Sequence, residues 1–251
     1  MALFGWENAV DAAGVSLLAS AAVLGFGPEL LRVPIGAPSV AWQTPVGTLA
    51  ASLTITSPAP IDWRAVCLSR TNLTMAATIR VRVGAYDSGV VAAGVAFGIG
   101  QALHVLPATV SAVTLQIDIA DPTNPDGFLN VPLVFAGPAG FNALIAPATN
   151  DGLDIRTADT QTRGGTILTA RLSSARGWQV TMSSVKDTDS PLLDALSASA
   201  AAGRNVLFVP RVGHARAAAE SIFGLLAPGR RGFLGPVGDY RTWSATISER
   251  L

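Results

Sequence analysis

Glycine and proline recur at short intervals along the whole chain, and this punctuation limits what the chain can fold into. The 251 residues include 25 glycines and 16 prolines, which divide the sequence into short apolar segments. Residues 78–83 alternate isoleucine and valine with arginine, and residues 113–119 alternate apolar and polar types in the same way. A period of two is typical of a half-buried β-strand. The pattern predicts a mainly β protein, with further strands at residues 167–172, 205–210 and 243–248.

One helix is expected within the C-terminal third. Residues 187–191 supply capping side chains and a proline that suits a first helical turn. Leu192, Leu193 and Leu196 then follow at helical spacing, and Gly203 is placed to end the helix. The C-terminal third is therefore predicted to run strand, helix, strand, strand, strand.

Chain-breaking residues near the middle of the chain indicate a domain boundary. Residues 135–140 read Phe-Ala-Gly-Pro-Ala-Gly, and residues 150–152 read Asn-Asp-Gly, which is typical of a turn. We expect an N-terminal β domain over residues 1–139, a linker over 140–161 and a C-terminal α+β domain over 162–251.

The charge content is low and balanced. Hydrophobic residues make up 49% of the chain and charged residues 14%, whereas a typical soluble domain has about 25% charged residues. This sparse charge predicts that partner subunits cover part of the surface, so we expect a homo-oligomer. The 17 basic residues balance the 17 acidic ones, which favours neither nucleic acid nor an anionic membrane as a partner.

The apolar stretch at residues 15–26 does not have the properties of a targeting segment. It lacks a basic preceding region, and Glu7 and Asp11 lie just before it. It is also too short to span a membrane. We therefore expect neither a signal peptide nor a membrane partner.

The sequence contains no recognisable catalytic motif. Cys67 is the only cysteine, and its apolar neighbours predict a buried structural thiol. His104 lies in an apolar segment that favours a packed, hydrogen-bonded side chain, and His214 lies in a loop-like basic segment. There is no nucleophile elbow, zinc-binding helix or phosphate-binding loop. The sequence predicts a protein that is not an enzyme and needs no cofactor.

One short segment has some features of a metal site. Asp121, Asn124 and Asp126 stand at relative positions 1, 4 and 6, whereas a calcium loop of the EF-hand type uses 1, 3 and 5. Pro122 and Pro125 restrict how this segment could wrap around an ion. We therefore expect an Asx turn that joins two strands, and no metal.

The first half of the chain resembles a known group of proteins. The segment Trp6-x-Asn8-x-x-Asp11 is similar to the opening of certain tail proteins of tailed bacteriophages, where it precedes a galactose-binding-like jelly roll of the discoidin type. Similar later segments are found, in the same order, at residues 64–73, 77–84, 86–89 and 118–137. The resemblance covers most of residues 1–139 and implies a jelly-roll β-sandwich there.

The second half resembles a domain of other tail-tip proteins, a tail-tube-like β-sandwich flanked by one α-helix. The similar segments are residues 163–165, 203–210, 222–224 and 240–251. This resemblance implies a structural component of a phage tail tip or baseplate, made in the host cytoplasm and incorporated into the virion. It also implies that the C-terminal domain docks to other virion tail proteins while the jelly roll projects outward.

Carbohydrate recognition by the jelly roll is the alternative function, with a host surface glycan as partner. Aromatic residues are only 6% of the chain, and residues 86–100 are mostly alanine, valine and glycine. This composition favours a spacer or interaction module over a sugar-binding one. Trp6, Trp42 and Trp63 are accordingly predicted to be core residues rather than ligand platforms.

The C-terminal domain also holds the residues predicted to contact partner subunits. Arg216, Arg230 and Arg231 lie in segments that look like loops beside strands, where arginine suits an interface. Solvated loop charges are the alternative. Trp243 is added to this interface set, although the alternation of residues 240–251 places it with Ile247 on the buried face of a strand.

Overall fold

The regular structure of the chain consists mainly of antiparallel strands. The structure, a computed structural model, describes residues 1–143, 145–146, 148–161, 163, 165, 167–234 and 240–250. Its strands are β1 (Ala2–Gly5), β2 (Ser16–Ala19), β3 (Trp42–Gln43), β4 (Ala50–Ser69), β5 (Thr78–Val83), β6 (Tyr86–Asp87), β7 (Val91–Ala92), β8 (Ala102–Ala120), β9 (Asn130–Val131), β10 (Leu133–Gly137), β11 (Gly140–Ala143), β12 (Asn150–Gln161), β13 (Ile167–Lys186), β14 (Asn205–Val209), β15 (Ile222–Leu234) and β16 (Tyr240–Glu249). The α-helices are α1 (Ser190–Ala201) and the single turn α2 (Ala217–Glu220), and 3-10 turns cover Ala9–Asp11, Pro28–Arg32 and Asp187–Asp189.

The first sheet has the strand order β10-β4-β8-β5-β6, with β2 beside β4 and β7 beside β5. In β5, Ile79, Val81 and Val83 are buried while the two arginines between them face outward. The predicted alternation is therefore confirmed. The sheet covers a core that includes Trp42 and Trp63, both almost completely buried, as predicted.

The second sheet has the order β11-β1-β14-β15-β16-β13-β12. Its core joins Phe4 of β1 and Phe208 of β14 to Trp243 and Ile247 of β16. Trp6 is only half-buried and packs against this core. The buried face of β16 is the one that its alternation predicts, because side chains of a strand point to opposite faces in turn.

Helix α1 lies against the second sheet and buries Leu193 and Leu196. Gly203 ends the helix with a φ of 70°, a left-handed conformation that glycine adopts without strain. Its N–H donates to the Ala200 carbonyl (2.9 Å). The order β13, α1, β14, β15, β16 confirms the predicted succession, with α2 as a small addition. The mainly β fold with one flanking helix is likewise confirmed.

The apolar stretch at residues 15–26 contains β2 and a turn closed between Val23 and Phe26. Within the ranges given above, no helix is long and apolar enough to cross a bilayer.

The two sheets pack on each other through a third apolar cluster. It joins Cys67 and Phe135 of the first sheet to Leu3, Leu207 and Phe223 of the second. A Cβ atom added at Gly5 would lie 2.4 Å from the ring of Phe135, so β1 approaches this ring more closely than any side chain would allow.

The segment expected to be a linker has a different structure. Most of residues 140–161 belongs to β11 and β12 of the second sheet, and Asn150 begins a strand instead of a turn. β1 also lies in the second sheet, although its sequence belongs to the predicted first domain. Pairing with neighbouring strands satisfies backbone groups and overrides the local turn preference of Asn-Asp-Gly. Separate folding of the two halves stays a prediction.

A two-stranded arm extends beyond the second sheet. β13 pairs with β16 only from Gly177 onward, but its pairing with β12 continues from Asn150 to Gln161. We define the arm as residues 153–161 with residues 167–176. At about 3.3 Å per residue it reaches about 30 Å. Nearly every described side chain of β12 is exposed, including Leu153 (55%) and Ile155 (51%).

Candidate functional site

A cleft of about 600 Å³ lies where the arm leaves the second sheet. The first sheet contributes the turn at Arg70 and the loop that ends at Gln101, and the second sheet contributes the beginning of β12 and the segment around Trp178. Clefts of about 300–1,000 Å³ are typical ligand sites. Because both halves of the chain line it, we treat this cleft as the candidate site.

A half-buried ion pair forms the floor of the cleft. Arg176 Nε donates to Glu249 Oε1 (2.7 Å), and the Arg176 backbone N–H donates to Glu249 Oε2 (3.0 Å). Arg176 also donates to the Ala219 carbonyl and, through Nη2, to Gln101 Oε1 (3.0 Å). The side chains of Arg176 and Glu249 are 17% and 15% exposed. The pairing of β13 with β16 ends at Gly177, next to this ion pair. The Glu249 carboxylate accepts from the Arg176 backbone N–H in place of a β16 carbonyl.

Gln101, from the loop before β8, connects this floor to α2 and to the residue that follows it. Its Nε2 donates to the carbonyls of Ala218 (2.7 Å) and Ser221 (2.8 Å), while its Oε1 accepts from Arg176. The residue is 1% exposed. A buried amide with its donors and acceptor in use keeps a fixed orientation. The floor is therefore preformed.

Arg70 lies on the side of the cleft that belongs to the first sheet. Its φ of 60° is the only positive φ of a non-glycine residue within the described part of the chain. The conformation is held from both sides: the Thr71 N–H donates to the Gly100 carbonyl (2.7 Å), and Arg70 Nη1 donates to the Arg250 carbonyl. A Cβ atom at Gly100 would lie 1.8 Å from the Thr71 carbonyl oxygen, so only glycine allows this approach.

Trp178 is the aromatic residue of the cleft. Its Nε1 donates to the Glu220 carbonyl (2.8 Å), and its ring is half-buried with one edge against Phe208. The Glu220 carboxylate forms an ion pair with Arg211, and the hydrogen bond from Arg211 lowers the pKa of Glu220. The indole is thereby fixed in position with part of its surface in the cleft.

Two further charged side chains at the rim have no such partners. The guanidinium of Arg216 and the carboxylate of Asp151 make no hydrogen bond to any residue that the structure describes, and both are exposed. With the remaining donors of Arg70, they are the groups that a ligand can use. The arrangement suits binding by hydrogen bonds and stacking.

The predicted contact residues lie in four different environments. Arg216 lines the cleft. Arg230 is exposed and Arg231 is ion-paired, and both lie within β15 rather than in a loop. The Pro-Gly pair before them produces a bulge instead of ending the strand.

Arg231 and Trp243 have contacts within their own chain. Arg231 forms an ion pair with Asp194 and donates to the Leu193 carbonyl (2.9 Å) and to Ser197 Oγ (2.9 Å). It therefore attaches α1 to β15. Trp243 is 1% exposed, and a partner subunit has no access to its ring. Its position corrects the expectation of a contact role, because the buried face of β16 outweighs the interface preference of tryptophan.

The sequence did not point to the cleft residues Arg70, Gln101, Arg176 and Trp178. Arg176 and Trp178 flank a glycine in β13, and a lone tryptophan beside an arginine is the one local signal of this region. Arg176 contacts Gln101 and Glu249 across long stretches of chain, so neither partner is visible from the local sequence.

The three residues considered for catalysis lie apart from the cleft lining. Cys67 is fully buried, and burial raises the pKa of its thiol to about 12. His104 Nε2 lies 2.9 Å from the Tyr86 hydroxyl, and burial lowers the pKa of the imidazole. The packed thiol and the hydrogen-bonded histidine are both confirmed. His214 is exposed, and its Nδ1 accepts from the Arg216 N–H (3.2 Å).

The metal-like segment forms a hydrogen-bonded turn, as predicted. Asp121 is completely buried and accepts from the Thr74 backbone N–H (2.7 Å) and hydroxyl (2.7 Å). Asn124 donates to Asp121 Oδ2 (3.2 Å), and its own Oδ1 accepts from the Asp126 N–H (3.0 Å). In the described ranges, no group of three histidine, cysteine or acidic side chains is arranged to hold a metal ion.

Comparisons with known proteins find similarity in structure only. No protein-family model matches the sequence, and no curated protein matches it. Among solved structures, the lectin domain of lectinolysin complexed with Lewis b antigen is 12% identical, with 52% of this chain and 95% of that chain covered and a TM-score of 0.41. A CBM32 module from a family 31 glycoside hydrolase of Clostridium perfringens is 12% identical, with 51% and 92% covered and a TM-score of 0.39. A GH29 fucosidase of Ruminococcus gnavus in complex with fucose is 12% identical, with 53% of this chain but 27% of that chain covered and a TM-score of 0.38.

Proposed function

We propose that this chain is a non-catalytic structural subunit that assembles with further copies of itself through the arm. As the resemblance of its sequence implies, the assembly belongs to the tail of a phage virion. The observation that carries the assembly proposal is the arm, which projects from the second sheet with apolar side chains exposed.

The physical reason is that a lone hairpin has little stability in water. Two strands without a third or a covering layer are marginally stable at best. Within the residues that the structure describes, β12 is also the last strand of its sheet, and an edge strand favours pairing with another chain. Contact of the arm with a neighbouring subunit removes both costs and covers Ile155, which lies outside the cleft lining.

A second copy of the same chain is the partner that the charge balance favours. With 17 basic and 17 acidic residues, two copies do not repel each other at long range. An arm that contacts a different surface of the next copy produces a head-to-tail interface, which closes into a ring when the rotation allows it.

Sedimentation velocity tests the assembly with one variant and one matched control. Ile155→Asp places a charge on the exposed arm, and Val113→Asp makes the same change at an exposed residue (41%) of β8 in the first sheet. We expect an oligomer for the wild type and for Val113→Asp, and a monomer for Ile155→Asp. A monomeric wild type up to high protein concentration would contradict homo-assembly, and an oligomeric Ile155→Asp variant would exclude the arm as the contact.

Placement in a virion tail is tested separately. Virions that encode this chain, labelled with an antibody against it, should show the label at the tail end in electron micrographs. Absence of the chain from purified virions would contradict the placement and leave the sedimentation result unaffected.

Carbohydrate recognition is the second candidate, and it rests on the cleft. A half-buried tryptophan beside two arginines with unused donors offers a stacking surface together with hydrogen bonds. Binding of any glycan to the purified full chain would support it.

A further inference from the structure

We infer that the cleft between the two sheets binds a sugar that bears a carboxylate, as part of an acidic glycan. This inference rests on the second candidate function and names its ligand class. It concerns a site built by both halves of the chain, with the base of the arm as one wall.

The charges of the cleft divide into those already paired and those still available. Arg176 is paired with Glu249, and Glu220 is paired with Arg211. These two pairs contribute no net charge. Among the lining residues that the structure describes, Arg70 and Arg216 carry two positive charges against the negative charge of Asp151, so these accessible groups have a net charge of about +1, which favours an anion.

The available cations are both arginines, which suits a carboxylate ligand. A guanidinium presents a planar fork that matches the two oxygens of a carboxylate. Arg70 uses one donor nitrogen on the Arg250 carbonyl, and its other donors have no acceptor in the described part of the chain. Its left-handed backbone is a strained conformation that the surrounding contacts maintain, as is common where a side chain must be held at a binding site.

The remaining lining suits a sugar ring. Trp178 is fixed through its N–H and offers apolar ring surface for stacking. Asp151 can accept hydrogen bonds from ring hydroxyls. Gly152 has open space around it, so the ring meets no side chain at that wall.

The test compares acidic sugars with their neutral counterparts on the purified full-length chain. Calorimetric titrations use trigalacturonate against its methyl ester, and 3′-sialyllactose against its methyl ester. Each pair differs in the negative charge while the neutral backbone is retained. We expect at least one acidic member to bind at least tenfold more tightly than its neutral counterpart, and to lose affinity in 0.5 M salt.

Two variants assign the binding to the cleft. Arg216→Gln should weaken the acidic ligand at least tenfold, because it removes a charge-assisted hydrogen bond. Arg230→Gln changes an exposed arginine of β15 outside the cleft lining and should leave affinity unchanged. Both variants should keep the wild-type oligomeric state, so failure of binding is separable from failure of assembly.

Three results would overturn the inference. Equal affinity for the acidic and neutral members would exclude the carboxylate while keeping carbohydrate recognition. Unchanged affinity in Arg216→Gln would exclude the cleft. Lack of binding to all four sugars would contradict both the inference and the second candidate function.

Discussion

Phe135 of the first sheet and Phe223 of the second sheet meet edge to face, with ring centroids 5.6 Å apart and ring planes at 66°. Both rings are almost completely buried. This contact belongs to the cluster that joins the two sheets, so it couples the stability of the two halves of the chain.

We expect Phe135→Ala and Phe223→Ala each to lower the free energy of unfolding by about 3–5 kcal/mol, because each leaves a cavity in a packed interface. A double-mutant cycle should give a coupling energy of about 0.5–1.5 kcal/mol. Urea denaturation monitored by tryptophan fluorescence and by circular dichroism measures both values. Coincident transitions are expected for the wild type. Two separate transitions would instead support the separate folding predicted for residues 1–139 and 162–251.

The half-buried ion pair between Arg176 and Glu249 should contribute to stability only while both partners are present. Arg176→Met leaves the Glu249 carboxylate half-buried without its partner, and we expect a loss of about 1–3 kcal/mol. Arg80→Met is the control, because Arg80 pairs with Asp87 at the surface, where both side chains are more than a third exposed. This control should change the unfolding midpoint far less. Equal effects of the two substitutions in urea denaturation would contradict the special role of the cleft floor.

His104 should make the protein less stable in mild acid. Burial lowers the pKa of His104 below its unfolded value of about 6.5, so protons bind more readily to the unfolded state. The contribution of His104 to the free energy of unfolding is therefore fully present above about pH 6.5. It decreases as the pH falls below that value, by at most about 1.4 kcal/mol per pH unit. His104→Gln retains a partner for the Tyr86 hydroxyl but should lose this slope, whereas His214→Gln at an exposed site should keep it. Parallel pH profiles for wild type and His104→Gln would rule out this contribution.

Cys67 should not react in the folded protein. Its thiol is fully buried and its pKa of about 12 leaves almost no thiolate at neutral pH. We expect a disulfide reagent such as dithionitrobenzoate to modify Cys67 only at the rate of global unfolding. Phe135→Ala should accelerate the modification, because Phe135 packs in the same cluster. Rapid modification of the native wild type would mean that the space between the sheets opens locally.

The sequence by itself determined the features that depend on neighbouring residues. The alternation in β5 and β16 assigned the buried faces, since side-chain direction in a strand repeats every two residues. Pro191 and Gly203 predicted the two ends of α1, because the end of a helix also depends on the residues next to it. The apolar neighbours of Cys67 were enough to predict its burial.

The tertiary structure alone decided which distant segments meet. β1 lies between β14 and β11 in the second sheet and pairs with both. The sequence of residues 2–5 does not indicate either partner. The cleft depends on Gln101, Arg176 and Glu249, which come from separate strands or loops and are brought together by strand order. The partner of a buried charge is set by the whole packing of the chain, because an arginine can satisfy its donors with any acceptor that the fold brings within reach.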